Sequence, residues 1–418
     1  MNVLDKGIGA LTGGPGSGGA ARGWNLLAEE LSLPAAVLYE ERLAHNLRWM
    51  QAFIDEYGVQ LAPHGKTTMA PQLFRRQLDA GAWGLTVATA QQARVAFHHG
   101  VPRVLMANLL VGRRNLEMVA EALAEAPRGG SGERVFYCLV DSPGAVEHLG
   151  RFFRARSLAI DVLLEVGPLG GRTGARDEEQ EDAVLRALDE WRDTVRLAGV
   201  EIYEGVLADE ASIRALLRRA VGVLERVVAE GRTQRARPIL SGAGSAWYDV
   251  VAEEFSPAVE RAGAEVVLRP GCYLTHDVGN YEAQQQRILA NNAVARRMSE
   301  GLFPALHVWA YVLSRPEPER AILGLGKRDV AFDSGYPSPA LRFRPGSDER
   351  PTVAPSHWTV TNMMDQHAYL SIAPEDDVRV GDMLGLDIRH PCLTFDKWRQ
   401  IAVVDGDYRV VEVVETFF

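Results

Sequence analysis

From about residue 36 onward, short apolar runs alternate with stretches in which apolar residues recur every three or four positions. The first helical stretch shows the pattern. Leu43, Leu47, Met50, Phe53 and Ile54 share one face, and Gly58 ends the run. The apolar runs fall at 60–62, 84–88, 103–107, 134–140, 159–165, 200–207, 238–240 and 264–268. Amphipathic patterns lie between them at 71–80, 90–99, 115–125, 178–197 and 213–230. Such alternation predicts parallel βαβ units. Eight runs over about 210 residues match a (β/α)8 TIM-type barrel better than an open doubly wound sheet. Beyond 275 the alternation stops. One helical pattern (282–300) leads into strand-like runs at 305–313, 359–363, 377–380, 383–388 and 408–414, some separated by Ser-Gly-Tyr-Pro and Arg-Pro-Gly-Ser turns. The expectation is a barrel over 36–275 and a second, mainly β domain from 1–35 and 276–418. The glycine-rich segment 13–19 reads as a flexible entry, because no Gly-Lys-Ser/Thr follows it.

Composition changes this picture little but excludes several partners. The chain of 418 residues carries 45 basic against 55 acidic side chains, a net charge of -10 without long like-charge runs. Nucleic acid and anionic membrane are therefore not expected partners. The three cysteines, Cys138, Cys272 and Cys392, are odd in number and far apart, which fits reduced thiols rather than a disulfide framework. No run of about 18 apolar residues is present. The first residues lack the basic start and apolar core of a signal peptide. A cytoplasmic protein is the expectation.

In barrels of this kind, chemistry collects at the C-terminal ends of the strands. After the first run comes PHGKTTMAP, with Lys66 four residues beyond Ala62. After the fifth comes GPLGGRTGAR, around Arg172, and the sixth contains Tyr203 and Glu204. SGAGS (Ser241 to Ser245) follows the seventh, and RPGCY, opening on Arg269, follows the eighth. Glycine loops after strands seven and eight hold a phosphate in many barrels, through backbone N–H groups and a helix N-terminus. Each piece alone has a plainer reading: a solvated lysine, or an ordinary turn. Their common rim carries the argument. A lysine, a phosphate cradle and an arginine together point to pyridoxal phosphate, which needs a Schiff-base lysine, an anion anchor and a ring-nitrogen partner.

The stretch PHGKTTMAPQLFRRQLDAGAWGLTVATAQQA resembles the lysine segment of the fold-type III pyridoxal-phosphate enzymes, with their alanine racemase-like barrel. The resemblance is strongest to the D-serine dehydratase and D-threonine aldolase branch. GRTGAR, SGAGS, LRPGCYLTHD and HPCLTFDKW extend it over nearly the whole chain. It implies that Lys66 carries the cofactor as a Schiff base. Ser241, Gly242, Gly244 and Ser245, with Gly271 and Cys272, match the phosphate loops. Arg172 lies against the cofactor ring, Tyr203 sits on the strand facing the ring nitrogen, and Arg269 joins the cofactor-binding set. Glu204 departs from the pattern and has no assigned role.

His390 and Cys392 form a second constellation. On an extended strand, residues two apart share a face. By spacing alone, a core cysteine beside a structural histidine is the simpler account. The resemblance reverses that, because dehydratases of the family bind a divalent metal through such a pair, while aldolases often have an oxygen ligand in place of sulfur. A thiolate favours zinc over magnesium or manganese, and two protein ligands leave the shell open. His367, in MDQHAYL, matches a histidine near the substrate or is a surface residue, with Asp365 and Gln366 as supports. Gly-Leu-Gly-Lys at 324–327 and the pair His98-His99 read as structural.

The resemblance implies an enzyme acting on a small-molecule β-hydroxy D-amino acid. The Lys66 amine removes the α-proton, and loss of a metal-polarised hydroxyl gives a 2-keto acid and ammonia. The first alternative is aldol cleavage to glycine and an aldehyde. The second is a non-catalytic pyridoxal-phosphate-binding protein, weakened because such proteins are single barrels. Racemisation leaves a hydroxyl-binding metal without a role. A homodimer is also implied.

Overall fold

The computed structural model describes residues 2–4, 6–8, 11–13, 21–125 and 134–418. Of the segment 13–19, all but Gly13 lies outside the described residues.

Eight parallel strands form the first sheet: Gln60–Leu61, Leu85–Val87, Arg103–Leu109, Val135–Val140, Ile160–Val166, Val195–Ile202, Ile239–Gly242 and Glu265–Leu268. Each of the second to seventh pairs with its successor, and the eighth returns to the first through Val267–Gln60 and Leu268–Leu61. Beyond those ladders, Trp83 N–H donates to Leu61 O (2.7 Å) and Thr86 N–H to Pro63 O (2.9 Å), beside a parallel His64–Thr86 bridge. These bonds close the sheet into a barrel. Ala62, Leu105, Tyr137, Leu139, Leu163, Ala198, Ile239 and Val267 fill the inside, and their neighbours along each strand face the helices, as period-two alternation requires. Side-chain caps start several of those helices: Thr89, Ser142, Asp177 and Asp209 each accept a backbone N–H of the first turn.

The sixth strand differs from the sequence reading, which places it at 200–207. It begins at Val195 and ends at Ile202. A register shift puts Leu197 opposite Val162 but Gly199 opposite Leu163, a bulge, and residues 195–197, read from the sequence as part of the helical pattern 178–197, open the strand. After Ile202 the chain turns sharply through Glu204–Val206.

The second sheet is organised on the long strand Leu306–Glu317. It pairs antiparallel with Ala35–Tyr39, Arg320–Leu323 and Met383–Asp387. Ala35–Tyr39 also pairs in parallel with Gln400–Val404. This strand, expected in the barrel, thus belongs to the other sheet, where all five of its residues are buried. The chain enters the barrel only with the helix Glu40–Glu56. The run expected at 377–380 is a loop pinned by Arg344, which pairs with Asp377 and Asp382.

Candidate active site

The loops at the C-terminal ends of the barrel strands and the turn that follows Met383–Asp387 enclose a cavity of about 470 Å³. Lys66, on a short helical turn (Gly65–Thr67) beyond the first strand, opens into it. The amine makes no hydrogen bond or ion pair among the described residues. His64 lines the same wall. Burial, together with the positive charges of Lys66, Arg269 and Arg172, holds its imidazole well below the usual value, so the ring is neutral.

Across the cavity, Ser245 Oγ accepts from both Gly271 N–H (3.1 Å) and Cys272 N–H (3.0 Å). Two backbone donors from the eighth loop therefore converge on one oxygen from the seventh. That is the arrangement an anion's oxygen can enter. Gly271 is required there by space. A Cβ at this position would stand 2.6 Å from Thr67 Oγ1 and 2.8 Å from His64 O. Ser241 and Gly242 do not join the lining. Ser241 is wholly buried, and its hydroxyl donates to Val267 O (2.9 Å) across the barrel strands, while Gly242 faces Ile202 and Phe255.

Glu204 acquires a role that the sequence leaves open. Its buried carboxylate accepts from Gly244 N–H (2.6 Å) and Ala243 N–H (3.1 Å), so it pins the SGAGS loop from behind. Arg269 is buried against Glu201, with which it forms a very short ion pair, and it donates to Ile202 O (2.7 Å). Its Nε has no partner, yet the residue lines the cavity. A buried N–H without a partner, on a residue that lines the cavity, has capacity left for an acceptor such as a pyridine nitrogen. Arg172 is not among the residues that line the cavity; its guanidinium stands 4.9 Å from the centre of the ring of Tyr203, which does line it.

His390 and Cys392 also line the cavity, though not on an extended strand. Pro391 has helical dihedrals and leads into the single turn Cys392–Phe395, so the turn rather than a pleat brings the two side chains together. His390 Nδ1 is held by Asp333 at 2.7 Å, which leaves Nε2 for a ligand. Hydrogen bonding to Cys392, with support from Asp333, raises His390 to about 9. Cys392 Sγ stands 3.8 Å from Cys272 Sγ. The hydrogen bond between these sulfurs lowers Cys392 and raises Cys272, so Cys392 is the thiolate of the pair. Among the described residues, no group of three or more His, Cys, Asp and Glu side chains stands ready to hold a metal ion.

His367 is not brought to the cavity. It is exposed at the tip of the hairpin joining Thr359–Met363 to Ala368–Ser371, where its carbonyl accepts from Met364 N–H (2.8 Å). Four residues without apolar alternation make a turn, and the turn carries His367 outward. Conversely, Thr67 and Gln92, within the lysine segment but not singled out there, and Tyr281 and Asp333, outside it, gain places at or behind the site. A second cavity, of about 570 Å³, is lined by Glu41, Arg42, His45, His307 and Asp387; it contains no lysine.

Two family models match the chain: "Alanine racemase, N-terminal domain" over residues 39–274 and "Putative serine dehydratase domain" over residues 305–404. A D-threonine aldolase from Arthrobacter sp. is 27% identical over 89% of this chain and 89% of its own length. A D-threo-3-hydroxyaspartate dehydratase from Delftia sp. (strain HT23) is 32% identical over 42% of this chain and 44% of its own length. The crystal structure of D-threonine aldolase from Filomicrobium marinum superposes with a TM-score of 0.75 at 23% identity, covering 94% of this chain and 97% of that one. Barrel, β domain and rim lysine define the alanine racemase-like class of pyridoxal-phosphate enzymes. Within that class the chain belongs to the D-serine dehydratase/D-threonine aldolase family, whose members here are lyases. No helix among the described residues is long and apolar enough to cross a membrane.

Proposed function

We propose that the protein is a pyridoxal-phosphate- and metal-dependent dehydratase of β-hydroxy D-amino acids, giving a 2-keto acid and ammonia. The observation that carries this is the convergence on one cavity of a free lysine, a two-donor anion cradle and a His–Cys pair. Lys66 would hold the cofactor as a Schiff base, with Ser245, Gly271 and Cys272 on its phosphate, Arg269 Nε toward the ring nitrogen, and Arg172 and Tyr203 at its edge. When bound, the cofactor supplies an electron sink for the bond broken at Cα. Arginine keeps its proton, so Arg269 donates to the ring nitrogen without protonating it. Lys66, released by substrate, stands as the base at the α-proton. His390 and Cys392 would hold a divalent ion, zinc by the softness of sulfur, and such an ion serves as a Lewis acid toward the β-hydroxyl. His367 is left outside the proposed chemistry.

The aldolase reading keeps one specific support: a relative matched in sequence over 89% of both chains is a D-threonine aldolase. Incubation of the cofactor- and metal-loaded protein with D-serine, D-threonine and D-3-hydroxyaspartate separates the two. The expected products are ammonia and a 2-keto acid. Glycine and an aldehyde from D-threonine, with no keto acid from any substrate, decide for the aldolase.

A further inference from the structure

We propose that Cys272 is a third protein ligand of the metal, joined with His390 and Cys392, so that the ion clips the barrel to the β domain at the mouth of the site. This rests on the reading of His390 and Cys392 as a metal pair and goes beyond it.

The argument begins with a distance. Cys272 and Cys392 are 120 positions apart, on different domains, and their sulfurs are 3.8 Å from each other. For zinc–sulfur bonds of about 2.3 Å at a tetrahedral angle, the sulfur–sulfur edge is about 3.8 Å. Two thiolates on one zinc therefore need little change in sulfur position. The surroundings suit a polar occupant. Thr67 Oγ1 is 4.0 Å from Cys272 Sγ and 3.5 Å from Cys392 Sγ, and both cysteines and Tyr281 line the cavity.

The backbone and the side chain of Cys272 are free to do separate things. Its N–H donates to Ser245 Oγ in the anion cradle, while its sulfur stands beside Cys392 and within hydrogen-bonding reach of Ser245 and Tyr281. One residue can thus meet the anion cradle through its N–H and the ion through its sulfur. Cys138, in contrast, is wholly buried in a barrel strand, so of the three thiols only these two reach the cavity. Two pairs share Cys392, one toward Cys272 and one toward His390. Nδ1 of His390 is held by Asp333, and the ring also hydrogen-bonds Cys392. As they stand, the three side chains form no metal-holding group among the described residues, so the ion itself must draw them together. The result is a Cys2His set with one position open for water or substrate oxygen, a ligand set that catalytic zinc uses. Two thiolates neutralise the ion's charge, which suits zinc or cobalt and excludes tight binding of magnesium.

The test uses the full chain with its cofactor, stripped of metal and kept under reductant, in three forms: unaltered, Cys272→Ser and Cys392→Ala. Cobalt(II) reports thiolate count through its sulfur-to-metal charge-transfer band, and zinc affinity is read by competition with a chelating dye. For Cys272→Ser we expect the band to fall to about half and zinc affinity to fall at least tenfold. The rise in melting temperature that zinc gives the unaltered protein should be largely lost. Retention of the imine absorbance checks folding of the variant. On the unaltered protein alone, zinc should protect both Cys272 and Cys392 from alkylation, mapped by peptide mass. Protection of Cys392 only, or a Cys272→Ser protein with undiminished band and affinity while Cys392→Ala loses both, overturns this proposal and leaves the metal pair standing. If neither substitution changes metal binding, the metal pair itself is wrong.

Discussion

At the scale of single residues, the site depends on groups whose surroundings make them unusual. Lys66 is a cation facing an open cavity with no carboxylate to neutralise it, beside an imidazole that its charge helps keep neutral. An amine so placed can form an imine, whereas a paired surface lysine is engaged elsewhere. Borohydride reduction of the cofactor-loaded protein should therefore fix the label on the peptide containing Lys66, and Lys66→Ala should lose the imine absorbance entirely. Label on Lys327 or Lys397 would move the cofactor off the barrel rim. The sequence makes some of these residues legible and misplaces others, for local reasons. Lys66, Ser245 and Gly271 lie where strand ends and loop glycines put them. Ser241 belongs to the same SGAGS motif but lies within the strand, where its hydroxyl satisfies Val267 O. Motif membership does not fix which way a side chain points; the pleat does. Tyr281 and Asp333 reach the site from segments beyond the loops that end the barrel strands, so only tertiary structure reveals them.

At the scale of elements, the eight apolar runs are found as strands because a barrel strand buries both faces and reads as an uninterrupted apolar stretch. The edges are less legible. Leu85–Val87 is three residues long and Gln60–Leu61 two, held as much by the bonds from Trp83 and Thr86 as by their own ladders. The strand Ala35–Tyr39 has the same composition as a barrel strand, and nothing in AAVLY tells which sheet it joins. Its partners, Leu306–Glu317 and Gln400–Val404, lie more than 250 positions away in the chain. The bulged sixth strand shows a position where sequence, backbone and packing meet. Gly199 has φ +154°, and a Cβ there would stand 1.9 Å from Ile239 O of the neighbouring strand. No side-chain rotation relieves a clash with backbone. Gly199→Ala should cost about 3 kcal/mol or more, because strained backbone and a displaced ladder combine. Urea unfolding followed by circular dichroism measures it. A loss under about 1 kcal/mol would mean that the bulge can shift freely, against the register described.

At the scale of the whole molecule, the cavity belongs to neither domain alone. The barrel contributes Lys66, Tyr203, Gly244, Ser245, Arg269 and Gly271; the other domain contributes His390, Cys392 and Leu393. The proposed cofactor anchors sit on the barrel, and two of the three proposed metal ligands sit on the β domain. The two groups should therefore be separable. A carboxylate chelator should abolish turnover of a β-hydroxy D-amino acid while leaving the imine absorbance in place, because Lys66, Ser245 and Arg269 are not ligands of the ion and Cys272 meets the cradle through its N–H. Zinc added back should restore turnover; magnesium should not, since sulfur ligands discriminate against it. The same treatment should lower the melting temperature, because an ion that binds only the folded chain stabilises it by mass action, the more so if its ligands span two domains. Full activity after chelation, with metal shown to be absent by elemental analysis, would remove the ion from the reaction. Loss of the cofactor along with the metal would instead mean that the two sites are one, held together through Cys272 more tightly than its separate N–H and Sγ contacts imply.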